Sequence, residues 1–436
     1  MNNKHDEVDR LGAEESAASV PSFGEASRYW VKLGFISFGG PAGQIAMMQS
    51  ECVDKRRWID QGEFLRGLNY AMLLPGPEAQ QLAAYIGWRL HGVRGALFAG
   101  ISFIIPGTIL MMLLAWLVIT QSDSSVVKAI FSGVKPVVVA IIMHALWRIG
   151  SKACNTVLSI SLAIVAFVAI KFWSVPFPIV ILSSGVLGLI LAQSSWGKFT
   201  DSNHGVSLDV YSNVSFKTSD ILARWVLVTF WVLLIGAVPC IFLIVGFGSE
   251  PFLDIVKLFT SAAFVTFGGA YAVLPYIADA SVATYAWLTP AEMINGLALA
   301  ESTPGPLILV TTYVGFFAGW KTAGLTFAFL AACLTTLVTF LPSFLFIIAG
   351  APYVEALQKR AWARNSLGAI TAAVVGVIFN LAVFFGEAAL ILDGQVIWTN
   401  CVITVLAIAL LFIGRFSVPM IVGFGAIFGV ILEVVN

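Results

Sequence analysis

Long apolar runs alternate with short polar breaks along the whole chain. The runs fall at 97–119, 136–147, 157–170, 225–247, 325–349, 366–385 and 401–413. Several approach the roughly 20 residues that a helix needs to cross a bilayer core, so the pattern predicts an all-α polytopic membrane protein. Residues 1–25 form a polar, acidic tail, and 194–220, rich in Ser, Asn, Asp and Gly, form the one long polar linker in the sequence. A different kind of break falls inside apolar sequence, where Gly and Pro interrupt helix-forming residues. These breaks are Gly39-Gly40-Pro41, Pro75-Gly76-Pro77, Gly268-Gly269 and Pro304-Gly305-Pro306.

The breaks are copies of one another. Phe35-Ile36-Ser37-Phe38-Gly39-Gly40 returns 229 residues later as Phe264-Val265-Thr266-Phe267-Gly268-Gly269. The same offset carries Trp58 onto Trp287, Glu63 onto Glu292, Gly67 onto Gly296 and Pro75-Gly76-Pro77 onto Pro304-Gly305-Pro306, with no gap over 35–77. Shared Leu or Val would mean little in so apolar a chain, but Gly, Pro, Trp and Glu at fixed spacing mark a duplication. The expected organisation is a polar cytoplasmic tail (1–25), a first transporter module (26–193), a linker plus connecting transmembrane helix (194–251) and a second module (252–436). Segment 221–247 has no counterpart in the first module. If each module crosses the membrane an even number of times, this extra helix starts the second copy on the opposite side. The expectation is therefore two inverted-topology repeats with Gly/Pro-broken re-entrant helices.

Basic residues orient the chain, because cytoplasmic loops carry the excess of Lys and Arg. Loop 51–66 holds Lys55, Arg56, Arg57 and Arg66, whereas its counterpart 280–295 holds no basic residue. The two loops are expected on opposite faces, 51–66 inside. For 51–66 to share a side with an N-terminus carrying Arg28 and Lys32, segment 33–50 must enter and turn back at Gly39-Gly40-Pro41, and 69–88 must do the same. Arg89, Arg94, Arg148, Lys152, Lys359, Arg360, Arg364 and Arg415 then fall inside, and 386–397, with Glu387 and Asp393, outside. The setting expected is the inner (plasma) membrane, multi-pass, with a cytoplasmic N-terminus. No apolar signal-peptide core follows a basic start, so no cleaved leader is expected.

Composition narrows the chemistry. Hydrophobic residues make up 59% and charged residues 11%, with zero net charge, so nothing draws the chain to nucleic acid. Cys52, Cys154, Cys240, Cys333 and Cys401 are scattered, and His5, His91, His144 and His204 have no ligand spacing. No disulfide framework, metal site or cofactor is expected. No GxxxxGK[ST] loop is present for ATP drive, and no catalytic set of an enzyme.

Non-helical backbone at membrane depth is tolerated where it is buried in protein or faces a water-filled cavity. Pro41, Pro77 and Pro306 each follow a glycine and read as first residues of half-helices. Such starts present free N–H groups and the positive end of the helix dipole, natural partners of a small anion. Glycine beforehand lets an oxygen approach the backbone. The candidate substrate-binding set is Gly39, Gly40, Pro41, Gly76, Pro77, Gly268, Gly269, Gly305 and Pro306, with Arg57 as a bidentate partner at the entrance. Lys135, nine residues into 126–149, is a further cation candidate; a snorkelling lysine is the alternative. Glu78 stands in the first turn after Pro77, where the dipole stabilises its anionic form. Glu301 faces the fourth break with no local basic partner. Both are proton-coupling candidates. Glu63 and Glu292 read as helix caps, and His144 as a packed histidine.

These residues closely resemble the chromate ion transporter family in its long, two-module form. The match rests on Phe-Gly-Gly-Pro-Ala-Gly (38–43), Arg56-Arg57-Trp58, Leu-Leu-Pro-Gly-Pro-Glu-Ala-Gln-Gln-Leu-Ala-Ala-Tyr-Ile-Gly-Trp (73–88), Gly100 to Pro106-Gly107, Phe-Gly-Gly-Ala-Tyr (267–271) and Glu-Ser-Thr-Pro-Gly-Pro (301–306). The resemblance implies secondary active export of chromate, chromate resistance and proton-coupled antiport. The second module has Ala270 where Pro41 stands and no equivalent of Arg57, so equal anion binding by the two halves is not expected. The residues themselves specify only a small oxyanion, since chromate and sulfate are both tetrahedral dianions. A sulfate or other oxyanion carrier and an anion channel remain alternatives. Expected partners are chromate, sulfate as a second candidate, the lipid bilayer and a second copy of the chain in a homodimer.

Overall fold

The computed structural model describes residues 20–38, 40–192, 218–351, 361–392 and 394–435. Most of the tail, Gly39, the linker from 193 to 217, Lys359, Arg360 and Asp393 lie outside the described residues. The first module runs α1 (Phe23–Ile36), α2 (Gly40–Gln49), a π-helical turn (Ser50–Lys55), α3 (Gln61–Leu73), α4 (Glu78–Thr120), α5 (Ser125–Ala153), α6 (Val157–Trp173) and α7 (Phe177–Ala192). The connecting helix is α8 (Thr218–Phe247). The second module runs α9 (Phe252–Val265), α10 (Ala270–Asp279), a second π-helical turn (Ala280–Thr284), α11 (Pro290–Ser302), a 3-10 turn (Leu307–Leu309), α12 (Val310–Ala323), α13 (Leu325–Gly350), α14 (Ala361–Leu390), α15 (Trp398–Ile413) and α16 (Val418–Val435). The one departure from all-α among the described residues is a two-residue ribbon, Ile391–Leu392 against Gln395–Val396, turned by Gly394 at φ 77°. Six of the described helices are long and apolar enough to cross a membrane.

The duplication is structural as well as sequential. Each module repeats helix, break, helix, π-helical turn, helix, break. Arg57 and Ala286, one offset apart, both sit in the left-handed region at φ 51°, ahead of buried Trp58 and Trp287. The rings of Tyr85 and Tyr313 press on Gly67 and Gly296 in turn. Helix α4 is itself a hairpin. His91 and Gly92 (φ 60°, ψ −149°) leave helical geometry, and the chain folds back so that Gly87 and Gly95 meet backbone to backbone. Gly324 (φ 76°, ψ −154°) makes the same reversal between α12 and α13.

The modules interlock rather than stand side by side. Helices α5, α6 and α7 of the first pack on α14 of the second, α5 also meets α15 and α16, and α4 meets α13. The α5–α16 contact is a glycine seam, with Gly133 against Gly425 and Gly429. In lipid, where burial of apolar surface gives no drive between helices, such backbone approach is a main source of association. Helix α8 stays almost wholly exposed along its apolar stretch, tied by Arg224 donating to the Ile348 carbonyl at 2.7 and 3.0 Å.

Caps follow the sequence in part. Thr289 and Glu292 form a reciprocal capping box at α11. At α3, Asp60 is the cap and the Glu63 side chain instead pairs with Arg89, which corrects the expectation of two equivalent caps. Pro77 and Pro306 stand one position ahead of their helices, in extended conformation (ψ 107° and 139°), rather than at the first helical position.

A side chain at Gly429 would meet the Ala129 carbonyl and, at 2.7 Å, the Gly133 nitrogen, backbone that cannot swing aside. Gly429→Val should destabilise the fold by about 1–3 kcal/mol, read as a lower midpoint of thermal unfolding in detergent. Gly423→Ala, with open space around it, should leave the midpoint unchanged.

Candidate functional site

The four breaks meet at the module interface and are stitched in reciprocal pairs. The Gly76 N–H donates to the Thr266 carbonyl at 2.8 Å. The Gly305 N–H donates to the Ser37 carbonyl at 3.1 Å and the Ser37 hydroxyl at 3.0 Å. Ser37 and Thr266 are duplicates, as are Gly76 and Gly305, so one contact is made twice. Buried amides add to it: Gln44 donates to the carbonyls of Ser37 (2.9 Å) and Gly305 (2.7 Å), and Gln81 to that of Pro75 (2.8 Å).

This pairing occupies two of the expected donors in this structure. Gly76 and Gly305 have positive φ, 130° and 100°, as expected of glycine in a break. Both are buried, and their N–H groups join the modules through Thr266 and Ser37. Pro77 and Pro306 are buried beside them.

The third break is open. Gly268 (φ 78°) and Gly269 (φ 92°) are half-buried, and no side chain caps the α10 N-terminus. The N–H groups of Gly268, Gly269, Ala270 and Tyr271 have no acceptor among the described residues. Charge collects there. The space beside Gly269 is bounded by the Glu78 carboxylate, whose Oε1 lies 3.9 Å from where a Cβ would stand. The Tyr271 hydroxyl donates to Glu301. The guanidinium of Arg148, on α5, is the basic group whose field reaches Glu78, Tyr271 and Glu301. It forms no ion pair or hydrogen bond among the described residues. The constellation is thus four backbone donors at a helix start, one free guanidinium, and two half-buried carboxyls.

Among the described residues, the side chains at this turn have no twin at the first break. By the offset of 229, Glu78 corresponds to buried Leu307, Tyr271 to Ala42 and Glu301 to exposed Met72. Gly40 (φ 70°) and Pro41 are half-buried in an apolar setting, and Gly39 lies outside the described residues. The expected inequality of the two halves arises here from side chains rather than from backbone.

Other candidates lie elsewhere. Arg57 is exposed and away from the breaks. Its neighbour Arg56 is the organised one, donating to Glu51 (2.8 Å) and Glu25 (3.1 Å) and lying over Trp58 and Tyr29. That contact holds the Glu51 carboxyl below the usual carboxylate range. Lys135 lines a separate cavity between α5, α11 and α12. His144 packs on Trp147 and Phe412, as read from the sequence. Arg148 is the residue sequence reasoning missed, counting it as a topological charge. The available signal was its place near the end of a long apolar helix, two turns before any linker.

Six apolar helices of membrane-spanning length, packed into one interlocked bundle, mark a multi-pass membrane protein. The pattern that defines chromate transporters matches residues 25–189 and 253–430, and the chain belongs to the chromate transporter family. It is 30% identical over 369 residues to a chromate transport protein of Pseudomonas aeruginosa, covering 84% of this chain and 81% of that one. It is 26% identical over 407 residues to a chromate transport protein of Cupriavidus metallidurans (92% and 91%) and 26% over 375 residues to a probable chromate transport protein of Synechococcus elongatus (85% and 86%). No solved structure matches the chain. The family is one of transporters rather than enzymes, and it supports chromate transport as the activity.

If the Tyr271 hydroxyl acts through Glu301, the two side chains form one unit. Tyr271→Phe and Glu301→Gln should each reduce transport, and the double variant should lose no more than Glu301→Gln alone. A double-mutant cycle on initial rates of chromate flux checks this. Additive losses would show that the two act separately.

Proposed function

We propose that this chain moves chromate out of the cytoplasm as a secondary carrier, with the dianion held at the Gly268–Gly269 turn by backbone N–H groups and Arg148. The observation that carries this reading is a guanidinium, Arg148, whose field reaches the carboxyls bordering a helix start whose first donors are unmatched among the described residues. Oriented N–H groups and a helix dipole favour an anion there, and a guanidinium matches two oxygens of a tetrahedral oxyanion at once. The inverted arrangement of the modules and re-entry of the broken segments belong to the same proposal, supported by the α4 hairpin and by the basic residues of loop 51–66.

The carboxyls set the sign of any proton coupling. With Glu78 and Glu301 ionised and Arg148 charged, the site carries a net negative charge and opposes a dianion. Protonation of the carboxyls reverses that balance. By linkage, a bound dianion must strengthen proton binding by the same factor. Proton and anion therefore reinforce each other here, whereas competitive antiport at this cluster would need them to exclude each other. The outward drive is then the inside-negative potential, about 2.3 kcal/mol per net charge moved per 100 mV.

Inverted membrane vesicles loaded with labelled chromate outside test the reading. Uptake should saturate, rise with an interior-positive potential, and compete with sulfate to a degree that reports selectivity. Arg148→Gln should lower it by about 10- to 100-fold, the range expected for losing charge-assisted contacts, and Arg148→Lys should retain part. Flux that never saturates would mark a channel, and unchanged flux in Arg148→Gln would remove the anion from this turn. Single cysteines in loops 51–66 and 280–295 should react with an impermeant thiol reagent from opposite faces. Labelling of both from one face would exclude inverted modules.

A further inference from the structure

A cavity of about 430 Å³ opens between the start of α5, α11 and α12, at the opposite end of α5 from Arg148. Lys128, Lys135 and Lys321 line it, together with the Glu292 carboxylate, Asn295 and Ser122. Thirteen residues separate Lys135 from Arg148, about 20 Å along a helix, so the two mark different places on one element.

The charges around this cavity are not balanced from within. Lys135 is half-buried and has no ion-pair or hydrogen-bond partner among the described residues. Lys128 reaches Asp123 only at 3.9 Å, with the aspartate fully exposed. Lys321 donates to the Ala286 carbonyl at 3.5 Å and stands 4.0 Å from Glu292. That carboxylate is already engaged at 2.7 Å by the Thr289 N–H and at 3.0 Å by the Thr289 hydroxyl, as the cap of α11. Asn295 turns a buried Oδ1 toward no donor. Reversing the amide, an assignment open to any Asn, presents its NH2 instead. Three ammonium groups and one carboxylate leave an excess of positive charge around the pocket, which a bound anion would relieve. A lysine that merely snorkels finds water or headgroups, not a cavity shared with two other lysines and an amide.

We propose that this cavity is a second oxyanion site, holding a tetrahedral dianion on Lys135 with support from Asn295, Lys128 and Lys321. It is separate from the Gly268–Gly269 turn and shares α5 with it. The proposal takes from the functional reading only that the cargo is a small oxyanion.

Equilibrium dialysis of the purified full chain against labelled chromate at low salt counts the sites. The wild-type chain should bind two chromates. Lys135→Gln should bind one, with at least about tenfold weaker binding at the lost site, a charge-assisted contact being removed. Lys135→Arg should still bind two, and Arg148→Gln should lose the other. A wild-type stoichiometry of one that is lost in Arg148→Gln and unaffected by Lys135→Gln overturns the second site and leaves the transport reading intact. One chromate lost in Lys135→Gln but kept in Arg148→Gln supports the cavity and overturns the turn. Equal loss in Lys135→Gln and Lys135→Arg overturns the proposal, since a charge-based site must accept arginine.

Discussion

Backbone polar groups inside apolar sequence must find partners, and the four breaks in this chain satisfy that demand largely with each other. Gly76 donates to Thr266 and Gly305 to Ser37, so each module completes the other's interrupted helices. Leaving a buried N–H or C=O unpaired costs the full desolvation penalty of the group. The module interface is therefore not an optional contact. It seals the second and fourth breaks and leaves the third open. The interlock of α5–α7 with α14, and the glycine seam between α5 and α16, hold the halves at the spacing these short bonds require.

A symmetric scaffold then carries an asymmetric site. Three substitutions across the duplication make the difference: Glu78 for Leu307, Tyr271 for Ala42, Glu301 for Met72. Arg148 arrives from a helix well away from the breaks in sequence. The result is one turn with unmatched N–H groups, two carboxyls beside it and a guanidinium whose field reaches them. Its pseudo-symmetric partner keeps the glycine but none of the charge. Duplication supplies the paired breaks, and divergence supplies the chemistry.

Much of this was legible in the residues. Helix-breaking Gly and Pro at a fixed offset of 229 predict paired broken helices, because few other residue types tolerate positive φ. The chain adopts it at Gly40, Gly76, Gly268, Gly269 and Gly305. Glu78 and Glu301 stood out because carboxyls are rare within apolar helices, and both face the open turn. What could not be read was which break donors would be spent between modules, since the Gly76–Thr266 bond joins residues 190 apart. Arg148 was hidden for the same reason. A basic residue at a helix end is explained by orientation alone until the packing brings Glu78, Tyr271 and Glu301 to it. Lys135 was visible as an unusual charge, but its cavity required α11 and α12 to be placed.

The account depends on where the anion sits, and chromium itself supplies the label. Anomalous scattering at the chromium edge from crystals of the chain grown with chromate would locate it directly. The account predicts a peak within hydrogen-bonding distance of the N–H groups of Gly268–Tyr271 and facing the Arg148 guanidinium. A peak at the Gly40 turn, or between Gly76 and Gly305 with their bonds to Thr266 and Ser37 broken, would contradict it.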